Sequence, residues 1–409
     1  LSFDLVRGQT AEPAAIPAHA CHRGRWDLPP VSYRLSPATE PPAMPNSKPN
    51  RARARAARRL SNAAKVGMAP GALVHLGERK TEQAAISPIE YGAGEIIEHQ
   101  FSSLAESQAY QPRLPVLWLN VHGLHEPEVM AEIGRRFKLH PLVLEDILNT
   151  DQRPKVDDYG DYLFMVARFF EIDAENGQIG SDQVSLILGP GYVLSFQERP
   201  SGRFDPLRER LRQDRGQIRK LGADYLAYSL LDTVVDRYFT ILENIGERTE
   251  ELEDTMLERP RPGALQTVHQ LKRETLTLRR SIWPLREVIN NLSRADERFF
   301  HPETRPYLRD VYDHTVHAIE SLEANRDVIA GLLDVYLSSV SNRVNQEVRA
   351  LTVVAIIFMP ATLISGIFGM NFKLMPLLEQ PDGFAIAIGM MAAVATTLSI
   401  IFWRRRWLK

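Results

Sequence analysis

The side chains of this chain best suited to ion chemistry cluster near its end. Residues 366–376 read GIFGMNFKLMP. Gly366 and Gly369 let a helix end turn sharply or let backbones approach closely. Asn371, after Gly369 and Met370, then puts an uncharged amide at the end of an apolar run. A ring of such amides can accept hydrogen bonds from the waters around a cation. Mg²⁺ holds its waters at about 2.0–2.1 Å and releases them reluctantly, so a filter that touches only those waters avoids the cost of dehydration. The plainer reading is that Asn371 caps the helix, a position where asparagine is common.

A stripe leads up to that amide. Alternating steps of four and three give Asp334, Ser338, Ser341, Asn345, Val348, Thr352, Ala355, Met359, Thr362 and Gly366. A mean step of 3.5 keeps these residues on one side of a supercoiled helix. Apolar positions frame the stripe: Leu333, Leu337, Val340 and Val344, then Leu351, Val354, Phe358 and Leu363. In a bilayer, polar positions face protein or a water-filled path. One reading is a pore lined by several copies of this helix, with Val348, Leu351 and Met359 as apolar constrictions that gate by dewetting. The other is that Thr352 and Thr362 bond their own backbone while the small residues pack helix on helix. One copy cannot enclose a channel, so the pore reading requires an oligomer. Pro360, in mid-span, predicts a kink that a membrane helix tolerates.

These residues need elements that cross a membrane. Segments 350–372 and 384–403 carry no charge, and each is long enough to span a hydrocarbon core of about 30 Å. The alternative is two buried helices of a soluble domain. Arg343 and Arg349 precede the first segment, and Arg404, Arg405 and Arg406 follow the second. That basic bias predicts both termini in the cytoplasm of a multi-pass cell (inner) membrane protein, with the short loop outside. It explains the three terminal arginines without further function, although several copies would also ring the inner pore mouth.

The rest of the 409 residues read as a large cytoplasmic part. Basic and acidic residues nearly balance, 49 against 51, which gives no signal for nucleic acid. One cysteine, Cys21, rules out an internal disulfide framework. Residues 1–64, rich in Pro, Ala and Arg, predict a disordered tail. Strand-like runs at 115–121, 162–170, 183–188 and 192–198, with helical stretches at 125–137 and 140–148, predict an α/β domain over 68–222. Long helices follow over 223–349 as a stalk, broken at ERPRPG (258–263). Then come a pore-lining span at 350–370, an external loop at 371–383, a second span at 384–403 and a basic tail at 404–409. The acidic run 250–258 reads mainly as a solvated helix end. No phosphate loop or nucleophile elbow is present, and His122, His125 and His140 share no ligand spacing, so no enzyme is expected.

Taken together and in order, several motifs resemble the CorA magnesium transport family over about 68–409. They are GMN after a span, MP, a second span with RRRWLK, YLSSVSNRVNQ (336–346), HPLVLEDILNTDQRPKV (140–156), ADYLAYSLLD (223–232) and IWPLREV (282–288). The resemblance implies a funnel-shaped homopentamer in a lipid bilayer that carries divalent metal ions: Mg²⁺, with Co²⁺ and Ni²⁺ as further candidates. It implies Asn371 as the selectivity residue, with Asn345 and Asp334 further down the pore. It also implies inhibitory Mg²⁺ sites between cytoplasmic domains at Asp146 and Asp310, with Glu145 beside them; taken alone, each acid reads more readily as a solvated surface charge. A brake makes physical sense, because two charges moved through 100 mV are worth about 4.6 kcal/mol. That would support a gradient of about a thousandfold. The chain departs from the family at Lys373 and Leu377, where the outer loop usually carries acids, which predicts lower cation affinity or altered selectivity. A zinc-preferring relative and a non-conducting, membrane-anchored sensor are the competing expectations.

Overall fold

In the computed structural model, residues 67–101, 104–173, 177–258, 263–370, 375, 377 and 380–405 are described. The expected tail at 1–64 lies outside them, as do Asn371, Lys373 and Arg406.

The first half builds one seven-stranded sheet. Its strands are β1 (Ala85–Tyr91), β2 (Ile96–Glu98), β3 (Val116–His122), β4 (Lys155–Asp158), β5 (Leu163–Ile172), β6 (Ile179–Gly189) and β7 (Tyr192–Gln197). They lie in the order β2-β1-β3-β7-β6-β5-β4, and β3 with β7 is the parallel pair. Both faces are covered, so alternate residues of one strand enter different cores. Leu163, Met165, Ala167 and Phe169 of β5 join the larger core. Phe164 and Val166 join a second core on the opposite face. The second core is closed by α2 (Pro127–Arg136) and α3 (Pro141–Leu148), which follow a short helix α1 (Leu104–Ala109). After β7, α4 (Asp205–Arg212) brings Leu207 and Leu211 into the larger core.

Three long helices complete that larger core: α5 (Ala223–Glu258), α6 (Ala264–Ser293) and α7 (Arg305–Phe368). Val234, Val235, Tyr238, Ile241, Leu242 and Ile245 recur on α5 at helical spacing and are buried. Tyr238 Oη donates to the Arg168 carbonyl at 2.7 Å, which pins α5 to the sheet. Asp224, at the start of α5, accepts from His301 N–H and the Thr304 hydroxyl and so fixes where α7 begins.

The 64 residues of α7 reach about 96 Å at 1.5 Å per residue, and the helix passes Pro360 without ending. It closes at Gly369, whose N–H donates to Ser365 O at 3.0 Å. The last helix, α8 (Gly383–Arg404), packs against its end. Helices α7 and α8 are each long and apolar enough to cross a membrane, and only 6% of each apolar window is buried. A core helix of a soluble protein would be largely buried, so the soluble alternative fails. The observed architecture is the expected one: an α/β domain, long helices, and two apolar C-terminal helices.

Strand β1 has no counterpart in the sequence reading, and Pro88 in its middle is the reason. The Pro88 carbonyl accepts from His99 N–H, so the missing donor points toward the chain that continues β2, which bonds β1 again where Phe101 N–H donates to Ile86 O. The proline therefore costs one ladder bond, at the thin edge of the sheet where a proline is tolerated.

Candidate functional site

Two regions bring the chemistry-bearing residues together. The first is the outer half of α7. Val353 is buried, and Ile356, Ile357, Pro360, Ala361, Ile364 and Phe368 are half-buried. These positions repeat every three or four residues and form the side that α8 covers. The stripe lies on the uncovered side. Asp334, Ser338, Asn345, Val348, Leu351, Thr352, Ala355, Met359, Thr362 and Gly366 are all exposed, as are Gly369 and Met370 at the end. Leu351 and Met359 are 71% and 68% exposed, large apolar surface with no covering element among the described residues.

Two positions in the stripe behave as the plainer reading expected. The Thr352 hydroxyl donates to Val348 O at 2.7 Å, and the Thr362 hydroxyl donates to Phe358 O at 3.0 Å. Their donors are satisfied within the helix, which leaves oxygen lone pairs as what they offer outward. Beyond the helix, Leu377 has φ of 77°, uncommon for a branched residue. A Cβ on Gly383 would lie 1.9 Å from Leu377 O, so Leu377 meets the first residue of α8 at a position only glycine fits. At the other end, Arg404 and Arg405 are exposed.

The second region is cytoplasmic in the expected topology. On α3, Val143, Leu144, Ile147 and Leu148 are buried, which turns Glu145 and Asp146 outward. Pro141 opens the helix, and His140 caps it by accepting from Leu142 N–H at 3.2 Å. The Glu145 carboxylate accepts from Gly71 N–H at 2.7 Å. Gly71 has φ of 84°, and a Cβ there would lie 2.8 Å from Pro141. Asp146 accepts from Gln152 Nε2 at 2.6 Å and pairs with Lys155 Nζ at 2.7 Å. Burial opposes the Lys155 charge, but its bonds to Asp146 and Asp157 outweigh that and leave its pKa above the ordinary lysine value. These groups line an open cleft of about 540 Å³ with Asp158 and Tyr159.

Asp310 stands exposed on α7, with its carboxylate 3.9 Å from His314 Nε2. A third set of ligands beside it was not anticipated. Among the described residues, Asp232, Asp236 and His314 offer ligand atoms that all lie within 4.8 Å of one another. His314 Nδ1 is buried without a hydrogen bond. Burial pushes the Asp232 carboxyl up to about 6, the Asp236 charge adds to that, and His314 opposes it. The legible signal was the i, i+4 spacing of the two acids on α5; the histidine lies about 80 residues away and arrives only through helix packing.

The histidines considered earlier have structural places. His122 is buried with its Nε2 3.3 Å from the side-chain nitrogens of Asn120 and Gln197. His125 Nε2 lies 3.3 Å from the Glu82 carbonyl, and His140 is the α3 cap.

Residues 115–406 match the family described as CorA-like Mg2+ transporter protein. The cobalt/magnesium transport protein CorA of Thermotoga maritima is 44% identical over 351 residues, 86% of this chain and 99% of that protein. The zinc transport protein ZntB of Yersinia pseudotuberculosis is 24% identical over 74% of this chain and 90% of its own length. Among solved structures, the complete CorA magnesium transporter from Methanocaldococcus jannaschii superposes with a TM-score of 0.62 at 20% identity, over 79% of this chain and 98% of that one. With a family match across most of its length and a full-length relative at that identity, this chain belongs to the CorA-like Mg²⁺ transporter family.

Proposed function

We propose that this protein is a passive channel for hydrated Mg²⁺, with Co²⁺ as a second cargo, assembled as a homopentamer in the cell membrane with both termini in the cytoplasm. The observation that carries the reading is the side of α7 left uncovered by α8. It holds polar and small residues in register over some 30 positions, and it ends at Gly366 and Gly369, just before Asn371 in the chain. Five copies facing one axis would line a water-filled path, with Leu351 and Met359 as dewetting constrictions and Asp334 and Asn345 as inner polar rings. Asn371 would select the hydrated ion at the outer mouth. The identity to a cobalt/magnesium transport protein, well above that to the zinc transporter, favours Mg²⁺ and Co²⁺ over Zn²⁺.

The cytoplasmic carboxylates suit a hard cation that takes oxygen ligands. Asp310 is 61% exposed and Asp146 lies on an open cleft, so both are available to an ion shared with a neighbouring copy. Bound Mg²⁺ would supply a bridge between acids of neighbouring copies, which closes the assembly when cytoplasmic Mg²⁺ is plentiful. Glu145, held by Gly71, and the Asp232, Asp236 and His314 group extend that acidic surface.

The test is Mg²⁺ entry into proteoliposomes of controlled orientation. Entry should fall at least about tenfold in Asn371→Ala, the scale of one lost selective contact. It should also fall when millimolar Mg²⁺ is present on the cytoplasmic face. Equal entry in wild type and Asn371→Ala would rule out the amide filter.

A further inference from the structure

The cleft beside α3 already contains a cation of its own. Lys155, the first residue of β4, places its Nζ 2.7 Å from Asp146 Oδ2 and 2.7 Å from Asp157 Oδ2. The ammonium also lies 5.3 Å from the centre of the Phe164 ring, within cation–π range. The second Asp146 oxygen accepts from Gln152 Nε2. Each oxygen of Asp146 therefore has a donor from its own chain.

A divalent ion cannot settle on Asp146 Oδ2 beside that ammonium, because two like charges would share one oxygen at a separation of a few ångströms. The ammonium has to leave. Asp157 offers it a second partner at the same distance, so it can leave Asp146 without losing its ion pair. The cleft still attracts cations: Glu145, Asp146, Asp157 and Asp158 carry four negative charges against one from Lys155, a local balance of −3 before Arg298, 3.6 Å from Asp158, is counted.

We infer that Lys155 is a tethered counter-ion that competes with the regulatory divalent cation for Asp146 and sets the Mg²⁺ concentration at which the cytoplasmic face closes. The inference rests on Asp146 being a ligand of that regulatory ion, as proposed above. Two consequences follow. The threshold rises, because Mg²⁺ binds only by displacing a neighbour that is never diluted. When Mg²⁺ is scarce, Asp146 stays neutralised within its own chain, so the open assembly does not carry a bare carboxylate at each interface. A lysine suits the role, since an ammonium tethered to its own chain pairs with that chain's acids but cannot hold two subunits together as a divalent ion does.

The experiment is a Mg²⁺ titration of the purified full chain, read by calorimetry and by protection from protease rather than by flux. Lys155→Met should bind Mg²⁺ about two- to fivefold more tightly, the equilibrium factor of one partly exposed ion pair. Lys155→Gln, which keeps a polar head in the cleft, makes the same prediction should the methionine variant not fold. Lys155→Arg keeps the charge and should stay within about twofold of wild type. Unchanged or weaker binding in both neutral variants would overturn the inference. Asp146→Asn, run alongside, separates the two claims. If it leaves Mg²⁺ affinity untouched, the regulatory reading of Asp146 is wrong. If it weakens binding while the neutral lysine variants match wild type, that reading stands and the role of Lys155 falls.

Discussion

His122 illustrates how a residue that resembles a metal ligand in the sequence can be a structural part of the fold. Its Nε2 faces two amide nitrogens, so it must accept, and only the neutral ring can do so. Burial pushes its pKa down to about 4; Arg208 and Arg203 act in the same direction and Asp205 opposes them. A histidine titrates near 6.5 when unfolded, so the contribution of neutral His122 is fully present above that value and is lost as pH falls toward 4. Between pH 7 and 5 the loss should be about 2 kcal/mol. Melting curves of wild type and His122→Gln at those two pH values check this: the variant should lose less stability on acidification, and parallel losses would exonerate His122. Single residues were the least legible level of the sequence. The acids of LEDIL were visible because Val143, Leu144, Ile147 and Leu148 leave them no inward direction. The partnership of Asp146 with Lys155 was not, because it depends on how the chain returns from α3 into β4.

Elements were far more legible, and the reasons are local. Helix α7 runs as one rod from Arg305 to Phe368, joining the end of the expected stalk to the first expected span, and Pro360 does not end it. Strands β3, β5, β6 and β7 stand where their β-branched and aromatic runs lie, whereas β2 and β4 are too short to carry a pattern. The face of α7 that meets α8 was not separable from its other apolar faces by sequence, since a membrane span is apolar all round. Only the packing shows that the polar stripe is the side left free. The loop between α7 and α8 offers an element-level prediction. Gly383→Ala would drive a methyl group into the Leu377 carbonyl, so the loop must move. The variant should insert and assemble like wild type but lose Mg²⁺ entry by at least about tenfold. Proteoliposome uptake with a native-gel control checks this, and wild-type uptake would show that the loop bears no load in conduction.

At the scale of the whole molecule, the described residues leave the two apolar helices largely bare. Only 6% of each apolar window is buried, and no described residue covers the free side of α7, as the proposed assembly in a bilayer requires. In the proposed ion path, the glycine-rich end of α7 would lie toward the outer mouth, and Arg404 and Arg405 toward the inner one. The central claim is that this path is passive and driven by the membrane potential. The most direct test is the initial rate of Mg²⁺ entry into Mg²⁺-free proteoliposomes at zero and at about −100 mV inside, set by a potassium gradient and an ionophore. The driving force on a divalent ion changes by about 4.6 kcal/mol between those conditions. Entry that requires the protein and accelerates steeply with the negative potential is the predicted result. Entry indifferent to the potential, or no entry from a protein that assembles correctly, would contradict a passive Mg²⁺ channel.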